Sequence, residues 1–506
     1  MSTETLSRAA APRGLPGRRL RDIVLHPAAW AILAGSIGLG LGLMVEQFRL
    51  RYFKLVVGGL FALAVLRLPM HIGAGLFLVA YSYPASLWIG DTNVAFVLFL
   101  GVVWLGRVAL RHEPPPQRTC LDWPILFYIA ALALTLVHVE STRQLQRSWI
   151  ELRHILTPLG MYYVIINCGR SERRLLFLTE AFLFGVTTVF FSVFMQRYYP
   201  GLSWLPRGYL GAMSAARIFE TEAGAIRLGG VYTHALLADV TGIAFMIRMY
   251  LASYYRHHTW MRIYHWTFAL LSAYVLSLTG NRGGLLLLMG GMAYFLWIFR
   301  RQFSLPRIVM GAALVAVALV GSEYLLFRFE TEGSLLGRLF RTQLVRGIPE
   351  TRLSAWSFIW DRIAESPWTG HGAIYPIGQT IQGVRANWPH NAYLYYLYMN
   401  GIVGLLAFLA LCWVLLRRTW AGQGLAIRSV SLARGLSAVF HVAILQFLVG
   451  QLRTDHQRKD LYVYVMWAVF ALGILARDVW ARERPAAAAP APSRRMSSAS
   501  DSAREP

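Results

Sequence analysis

Three residues in the second half of this chain have side chains able to take part in group transfer, and each lies beside a long apolar segment. Arg227 lies in AIRLGGVYTHALLA, Arg282 in LTGNRGGLLLL and His390 in WPHNAYLYYLYMNGIVG. A guanidinium pairs with phosphate through two parallel hydrogen bonds, and an imidazole can take a proton from an attacking hydroxyl. Together these groups suit glycosyl transfer from a diphosphate-linked donor, with the arginines stabilising the charge on the leaving group.

Each of these residues also has a simpler interpretation. An arginine at the end of a membrane helix usually extends towards lipid headgroups, and a histidine before a span is often structural. Their coincidence favours a site, because all three are predicted on one face of the membrane, in three different segments. No Asp-x-Asp pair marks an obvious metal site, so the arginines would replace a metal cation and we expect no metal and no cofactor.

The composition defines the class of protein that must position these residues. Of 506 residues, 56% are hydrophobic and only 15% are charged, where a soluble protein carries about 25% charged residues. The mean hydropathy is +0.46. So few charges cannot form the exterior of a soluble protein with this much apolar surface. The chain is therefore predicted to be an all-α, polytopic membrane protein, which excludes a cytosolic enzyme, a secreted disulfide scaffold and a disordered chain.

The charge is strongly basic, with 49 Lys and Arg against 25 Asp and Glu, a net charge of +24. Three explanations are open: nucleic acid, cytoplasmic loops that face anionic lipids, and arginines that bind a phosphorylated substrate. In a membrane protein the second is favoured for most of the excess, and we expect membrane lipids and no nucleic acid as partners. The cysteines Cys120, Cys168 and Cys412 have no metal spacing and are predicted to be unpaired.

Apolar runs long enough to cross a bilayer recur along the chain and give about 14 candidates, with about 12 spans expected and a range of 11–14. Basic loops place both termini in the cytoplasm. The runs 54–68 and 155–168 are short. The candidates are 28–45, 54–68, 72–90, 93–110, 121–138, 155–168, 174–198, 229–251, 263–279, 283–299, 307–325, 391–415, 436–452 and 461–477.

The organisation predicted from these runs has one large loop on the outer face. A basic tail (1–22) precedes a first bundle (23–325); the loop covers 326–390; further spans cover 391–480; and a low-complexity tail covers 481–506. A connection of this length is usually functional.

Within the large loop, the three- to four-residue spacing of apolar side chains over 349–372 predicts an amphipathic helix. Its Trp356 and Trp360 suit either sugar stacking or anchoring at the membrane interface, and anchoring is favoured.

Elsewhere, Asp239 is predicted to be a partner for an arginine inside the bundle. The basic group Arg453, Arg458 and Lys459 is predicted on the outer face, against the positive-inside rule.

Four motifs of this chain resemble motifs of the bacterial O-antigen ligase and O-antigen polymerase superfamily, and they follow one another along the chain in the same order as in that superfamily. Asn281-Arg282-Gly283-Gly284 is similar to its S-R-G-type turn, and Arg227 with Gly230 is similar to its R-x2-G motif. Arg352 through Gly372 resembles its R-x3-W…P-x2-G-x-G loop segment. The fourth motif, H-N-x9-G-x-x-G, is made by His390, Asn391, Gly401 and Gly404.

This resemblance implies an inner-membrane enzyme with a periplasmic active site and a metal-independent, inverting transfer. The donor would be a glycan on undecaprenyl diphosphate, and the acceptor lipid A-core or a growing glycan. His390 would be the catalytic base, and Arg227 and Arg282 would bind the diphosphate. Arg352 is a candidate for substrate binding or for support of the loop, and Asn391, Gly401 and Gly404 for support of the motif.

Ligase activity is favoured by the resemblance alone, and polymerase activity in the same superfamily is the nearest alternative. An alternative from another class is an anion or small-solute transporter, since many spans and buried arginines fit that function too. The long outer loop and the lack of an internal repeat argue against transport.

Overall fold

The structure is a computed structural model that describes residues 66–81, 92–139, 141–198, 228, 232, 234–302, 350–372, 380–381, 384–385, 389–427, 429–454 and 460–483. The predicted tail 1–22, all but the first three residues of the tail 481–506, the span at 28–45, most of that at 54–68, the span at 307–325 and Arg227 lie outside these residues.

The described part of the chain is helical apart from one two-stranded hairpin. In chain order the elements are α1 (Met70–Ala80), α2 (Thr92–Ala109), α3 (Asp122–Leu134, extended by a 3-10 turn over Thr135–His138), α4 (Thr142–Cys168), α5 (Glu172–Tyr198), α6 (His234–Tyr254), α7 (Thr259–Leu278), α8 (Arg282–Ile298), α9 (Glu350–Glu365), β1 (Thr380–Ile381), β2 (Val384–Arg385), α10 (Ala392–Thr419), α11 (Leu432–Gly450) and α12 (Asp460–Glu483). The strands β1 and β2 pair antiparallel.

These helices form one packed bundle whose centre is almost wholly apolar. Among the described helices, α6, α11 and α12 are buried along nearly their whole length. Helix α6 packs against α7, α8 and α11, while α12 packs against α11 and α4. A helix that is apolar all round belongs in the core of a bundle, because every face must meet another helix or lipid. This confirms the expected all-α membrane architecture.

Five of the described helices are long and apolar enough to cross a membrane: α5, α6, α10, α11 and the part of α12 from Tyr462 to Glu483. Shorter apolar helices over Met70–Ala80, Phe96–Ala109, Asp122–His138 and Arg282–Ile298 fall in predicted spans. The predicted total of about 12 spans stays a prediction, since long parts of the chain lie outside the described residues.

The helix that contains the predicted short span at 155–168 begins well before it. Helix α4 is 27 residues long and begins at Thr142, so Arg143 and Arg147 lie within a helix. Ser141 starts it with a capping box, in which its hydroxyl accepts from the Gln144 amide and the Gln144 side chain accepts from the Ser141 amide. The charged first turns lowered the local hydropathy and hid this part of the helix.

The amphipathic helix predicted in the large loop is α9, and it packs on α10. Ile359 and Ile363 are buried against Tyr398 of α10, whereas Trp360 is 52% exposed. The three- to four-residue apolar spacing therefore predicted the burial of Ile359 and Ile363 correctly, but it placed Trp360 in the same apolar stripe, and Trp360 is exposed.

Candidate functional site

His390 lies immediately before α10 and is held in position by bonds to its neighbours on both sides. The indole nitrogen of Trp356, in α9, donates to the Pro389 carbonyl at 2.7 Å. Asn391 is the N-cap of α10, and its side-chain oxygen accepts from the amides of Tyr393 and Leu394 at 3.0 and 3.2 Å. The R-x3-W and H-N motifs thus meet at one point, and Trp356 supports the histidine segment.

The backbone of His390 adopts an uncommon conformation. Its φ is +50°, in the left-handed region, and among the described non-glycine residues only Arg111 shares a positive φ. Such a conformation costs about 1–3 kcal/mol and persists where the surroundings impose it. The side chain is exposed. A strained backbone that presents an accessible imidazole is typical of a functional position.

The two glycine motifs form one backbone-to-backbone contact. Gly401 has a φ of +63° and breaks α10, and Gly370, in the segment after α9, has a φ of +67°. A Cβ on Gly370 would lie 2.5 Å from the Gly401 nitrogen, and one on Gly401 would overlap the Trp368 carbonyl. Only glycine permits this approach at both positions.

Hydrogen bonds across the break hold the loop segment to α10. The amide of Ile402 donates to the Pro367 carbonyl at 2.8 Å, and the amide of His371 donates to the Tyr398 carbonyl at 2.9 Å. Gly404, one turn further along, leaves space for the buried side chain of Asn400. The spacing of H-N-x9-G-x-x-G therefore reflects the distance from the start of α10 to the point where the loop docks.

Arg282 is the first residue of α8, and Asn281 before it is the N-cap. The Asn281 side-chain oxygen accepts from the Gly284 amide at 3.0 Å and from Nη1 of Arg453 at 2.8 Å. Nη2 of Arg453 donates to a carboxylate oxygen of Asp239 in α6. The predicted pairing of Asp239 with an arginine inside the bundle is thus confirmed, and the arginine is Arg453.

The start of α8 is suited to an anion. A cation in the first turn opposes the helix dipole and costs about 0.3–1 kcal/mol, so Arg282 does not stabilise its own helix. Neither α8 nor α10 has an acidic residue in its first turn. Amide donors together with a guanidinium form a favourable environment for phosphate.

The turn that follows α11 joins the starts of α8 and α10. The Gln451 carbonyl accepts from the Ala392 amide, the first of α10, at 2.8 Å. Arg453, two residues on, bonds Asn281 before α8. The structure therefore brings the segments that contain His390 and Arg282 to the same end of the bundle, on either side of one short turn.

The structure describes less of the other two predicted binding residues, Arg227 and Arg352. Arg227 is outside the described residues, but the amide of Leu228, the next residue, donates to the Leu278 carbonyl at the end of α7, at 3.2 Å. Helix α7 leads directly to Asn281 and Arg282. Arg352 lies in α9, with its side chain outside what the structure describes.

Two residues of this region have contacts that the sequence did not predict. Arg453 belonged to a basic group on the unexpected side of the membrane, and that violation of the positive-inside rule was the available signal. Trp356 was assigned to membrane anchoring, whereas its indole bonds the residue before His390. Among the described residues, no cluster of His, Cys, Asp or Glu could hold a metal ion, and the three cysteines are free.

A second charged cluster lies within the bundle, away from these motifs. Arg248 of α6 has 1% side-chain exposure and lies 3.4 Å from a carboxylate oxygen of Glu180 in α5. It also contacts Nδ1 of His265 in α7 at 3.3 Å. The guanidinium carbon is 4.8 Å from the Tyr264 ring centre and 5.1 Å from that of Phe268. Aromatic rings and helices enclose Arg248 and His265, while the Glu180 side chain is 25% exposed.

The fold is that of an α-helical membrane protein in which the segments before α8 and α10 bond the same turn. The family model described as O-antigen ligase matches residues 267–409. This range contains Arg282, Arg352, His390 and the glycines of α10. The chain is also 30% identical over 141 residues to an O-antigen ligase from Pseudomonas aeruginosa, an alignment covering 24% of this chain and 35% of that protein. Both findings confirm the resemblance to the O-antigen ligase superfamily.

Proposed function

We propose that this chain is an inner-membrane glycosyltransferase that moves a glycan from undecaprenyl diphosphate to lipid A-core on the periplasmic side. The family match to residues 267–409 supports a role in glycan assembly. The observation that carries the proposal is the meeting of the His390 and Arg282 segments on one turn, at Gln451 and Arg453. A base and a phosphate-binding cation are the two groups that this transfer requires.

In the proposed step an acceptor hydroxyl attacks the anomeric carbon of the donor sugar. Its oxygen forms the new glycosidic bond while the bond from the anomeric carbon to the phosphate oxygen breaks. His390 takes the hydroxyl proton, and the electron pair of the broken bond leaves on undecaprenyl diphosphate. Attack opposite the leaving group inverts the anomeric centre.

Arg282 and Arg227 would bind the diphosphate and stabilise the negative charge that it gains as it leaves. Arginine suits this role because its planar fork contacts two phosphate oxygens at once. With cationic side chains in this position, the transfer needs no metal ion. Arg352 would contact substrate or support the loop.

The proposed membrane placement follows from the same assignment. Residues 326–390 would form the periplasmic loop, with α9 lying across the start of α10. Both termini would be cytoplasmic, as the basic loops Arg111–Arg118, Arg300–Arg307 and Arg417–Arg428 indicate.

The test is turnover by the purified protein in vesicles that contain a synthetic undecaprenyl diphosphate oligosaccharide and lipid A-core. We expect release of undecaprenyl diphosphate and an inverted linkage to the core. A lengthened donor glycan without core modification would identify a polymerase instead. If no glycan is transferred and the vesicles accumulate a solute, the transporter interpretation replaces both.

A further inference from the structure

Arg453 occupies a position that the transfer mechanism above leaves unused. It follows α11, carries a side chain 19% exposed, and is paired with Asp239, whose side chain is 3% exposed. Its Nη1 bonds the Asn281 oxygen that also caps α8. A single oxygen thus fixes both the first turn of α8 and the guanidinium of Arg453.

The side chain of Arg453 packs tightly against Gly283, the residue after Arg282. A Cβ at Gly283 would lie 2.7 Å from Cδ of Arg453 and 3.0 Å from its Nη1. The arginine side chain therefore crosses directly over the residue next to Arg282. The glycine in the N-R-G-G turn is required for this crossing, because any larger residue would displace Arg453.

The same turn also determines where α10 begins. The Gln451 carbonyl accepts from the Ala392 amide, and the Tyr393 hydroxyl donates to the Leu448 carbonyl at 2.8 Å. The side-chain amide of Gln451 bonds the Tyr462 hydroxyl of α12 at 2.8 Å. The Gln451 carbonyl thus bonds the start of α10, and the Arg453 side chain bonds the cap of α8. Residues 451–453 therefore connect the two helix starts.

We infer that Arg453 is a positioning residue for the transfer reaction, which sets Arg282 against His390 by holding the start of α8 to the turn that starts α10. The inference rests on the proposed function. Both terminal nitrogens of Arg453 have partners within the protein, so it acts through Asn281 and Asp239 and not by contact with the diphosphate. Misplacement of reacting groups by about 1 Å can cost roughly 100-fold in rate.

The test compares Arg453→Gln with Arg434→Gln in the vesicle assay. Arg434 is a matched control at the other end of α11, where Nε and Nη2 bond the Ala421 carbonyl at 3.4 and 3.2 Å. We expect Arg453→Gln to lower kcat about 100-fold, with KM for the donor within about threefold, because the diphosphate ligands remain. Arg434→Gln is expected to keep kcat within about threefold of the unsubstituted chain.

A second variant separates positioning from the cost of an unpaired buried carboxylate. Arg453→Gln in an Asp239→Asn background removes both charges and should restore the melting temperature but not kcat. Recovery of kcat with the melting temperature, equal loss in Arg434→Gln, or full activity in Arg453→Gln would each overturn the positioning role and leave the proposed function standing. No release of undecaprenyl diphosphate by the unsubstituted chain would overturn both.

Discussion

Two arginine–carboxylate pairs lie in this bundle, and they differ in what surrounds them. Arg248 and His265 are enclosed between α5, α6 and α7 beside Glu180, whose side chain is 25% exposed. The guanidinium carbon of Arg248 is within 4.8–5.1 Å of two aromatic ring centres. Arg453 and Asp239 lie where α8, α10 and α11 meet, beside backbone turns at the helix ends. The chemical groups are the same, but only the second pair is connected to helix starts that carry Arg282 and His390.

This difference separates a structural role from a functional one. Removing one partner of a buried pair leaves an uncompensated charge and costs about 3–5 kcal/mol. The Arg248 cluster should therefore govern stability. The two guanidinium groups differ in exposure, 19% for Arg453 against 1% for Arg248. A charge left on Arg453 therefore meets water, and loss of Asp239 should alter geometry more than stability. Ionisable residues in a membrane bundle are functional candidates by default, and their neighbours decide between the two roles.

The largest expected effect is at His390. His390→Gln keeps a polar side chain but removes the base, and we expect kcat for undecaprenyl diphosphate release to fall by about 1,000-fold. The control is His257→Gln, an exposed histidine whose ring nitrogen accepts from Arg256 at 2.8 Å between α6 and α7. Equal activity in both variants would remove His390 from the reaction.

The next largest effect is a loss of stability at Arg248, the arginine of the structural pair. Arg248→Met leaves Glu180 without its cation, and we expect the free energy of unfolding to fall by about 3 kcal/mol. The kcat of the folded protein should stay within about threefold of the parent. Unfolding midpoints and single-turnover rates from one preparation measure both. A large fall in kcat at unchanged stability would place the Arg248 cluster in the reaction.

Arg282→Lys tests the phosphate contact. A lysine keeps the charge but lacks the planar two-pronged fork, and we expect kcat/KM to fall about 30-fold, or roughly 2 kcal/mol. Arg300→Lys, at an exposed position just beyond the other end of α8, should have no measurable effect. Full activity in Arg282→Lys would favour a contact with lipid headgroups.

The smallest effect is expected at Trp356. Trp356→Phe keeps the ring but removes the bond to the Pro389 carbonyl, a loss of about 1 kcal/mol, so we expect kcat to fall about fivefold. Trp360→Phe is the control, because that side chain lies one turn further along α9 and is 52% exposed. Similar losses in both would indicate anchoring at the interface.

Sequence patterns predicted the helical class, most helix positions and the burial of Ile359 and Ile363 in α9, since these depend on local hydropathy and its period. They missed the first turns of α4, where charged residues lower the local hydropathy and the Ser141 capping box was the available signal. Asp239 was predicted to pair with an arginine, but Arg453 lies 214 residues away. Contacts over such distances are set by packing and leave no local signal. The docking of Gly370 on Gly401 likewise follows from two distant motifs.

Matched carboxylate-to-amide changes in the two pairs test most directly whether the α8–α10–α11 junction is the reactive end of the bundle. Turnover and melting temperature would be measured for Asp239→Asn and Glu180→Gln in the vesicle assay with the undecaprenyl diphosphate donor. We expect Asp239→Asn to lower kcat at least about tenfold with a small change in stability, and Glu180→Gln to lower stability with kcat nearly unchanged. The reverse pattern, or equal effects at both positions, would contradict the account.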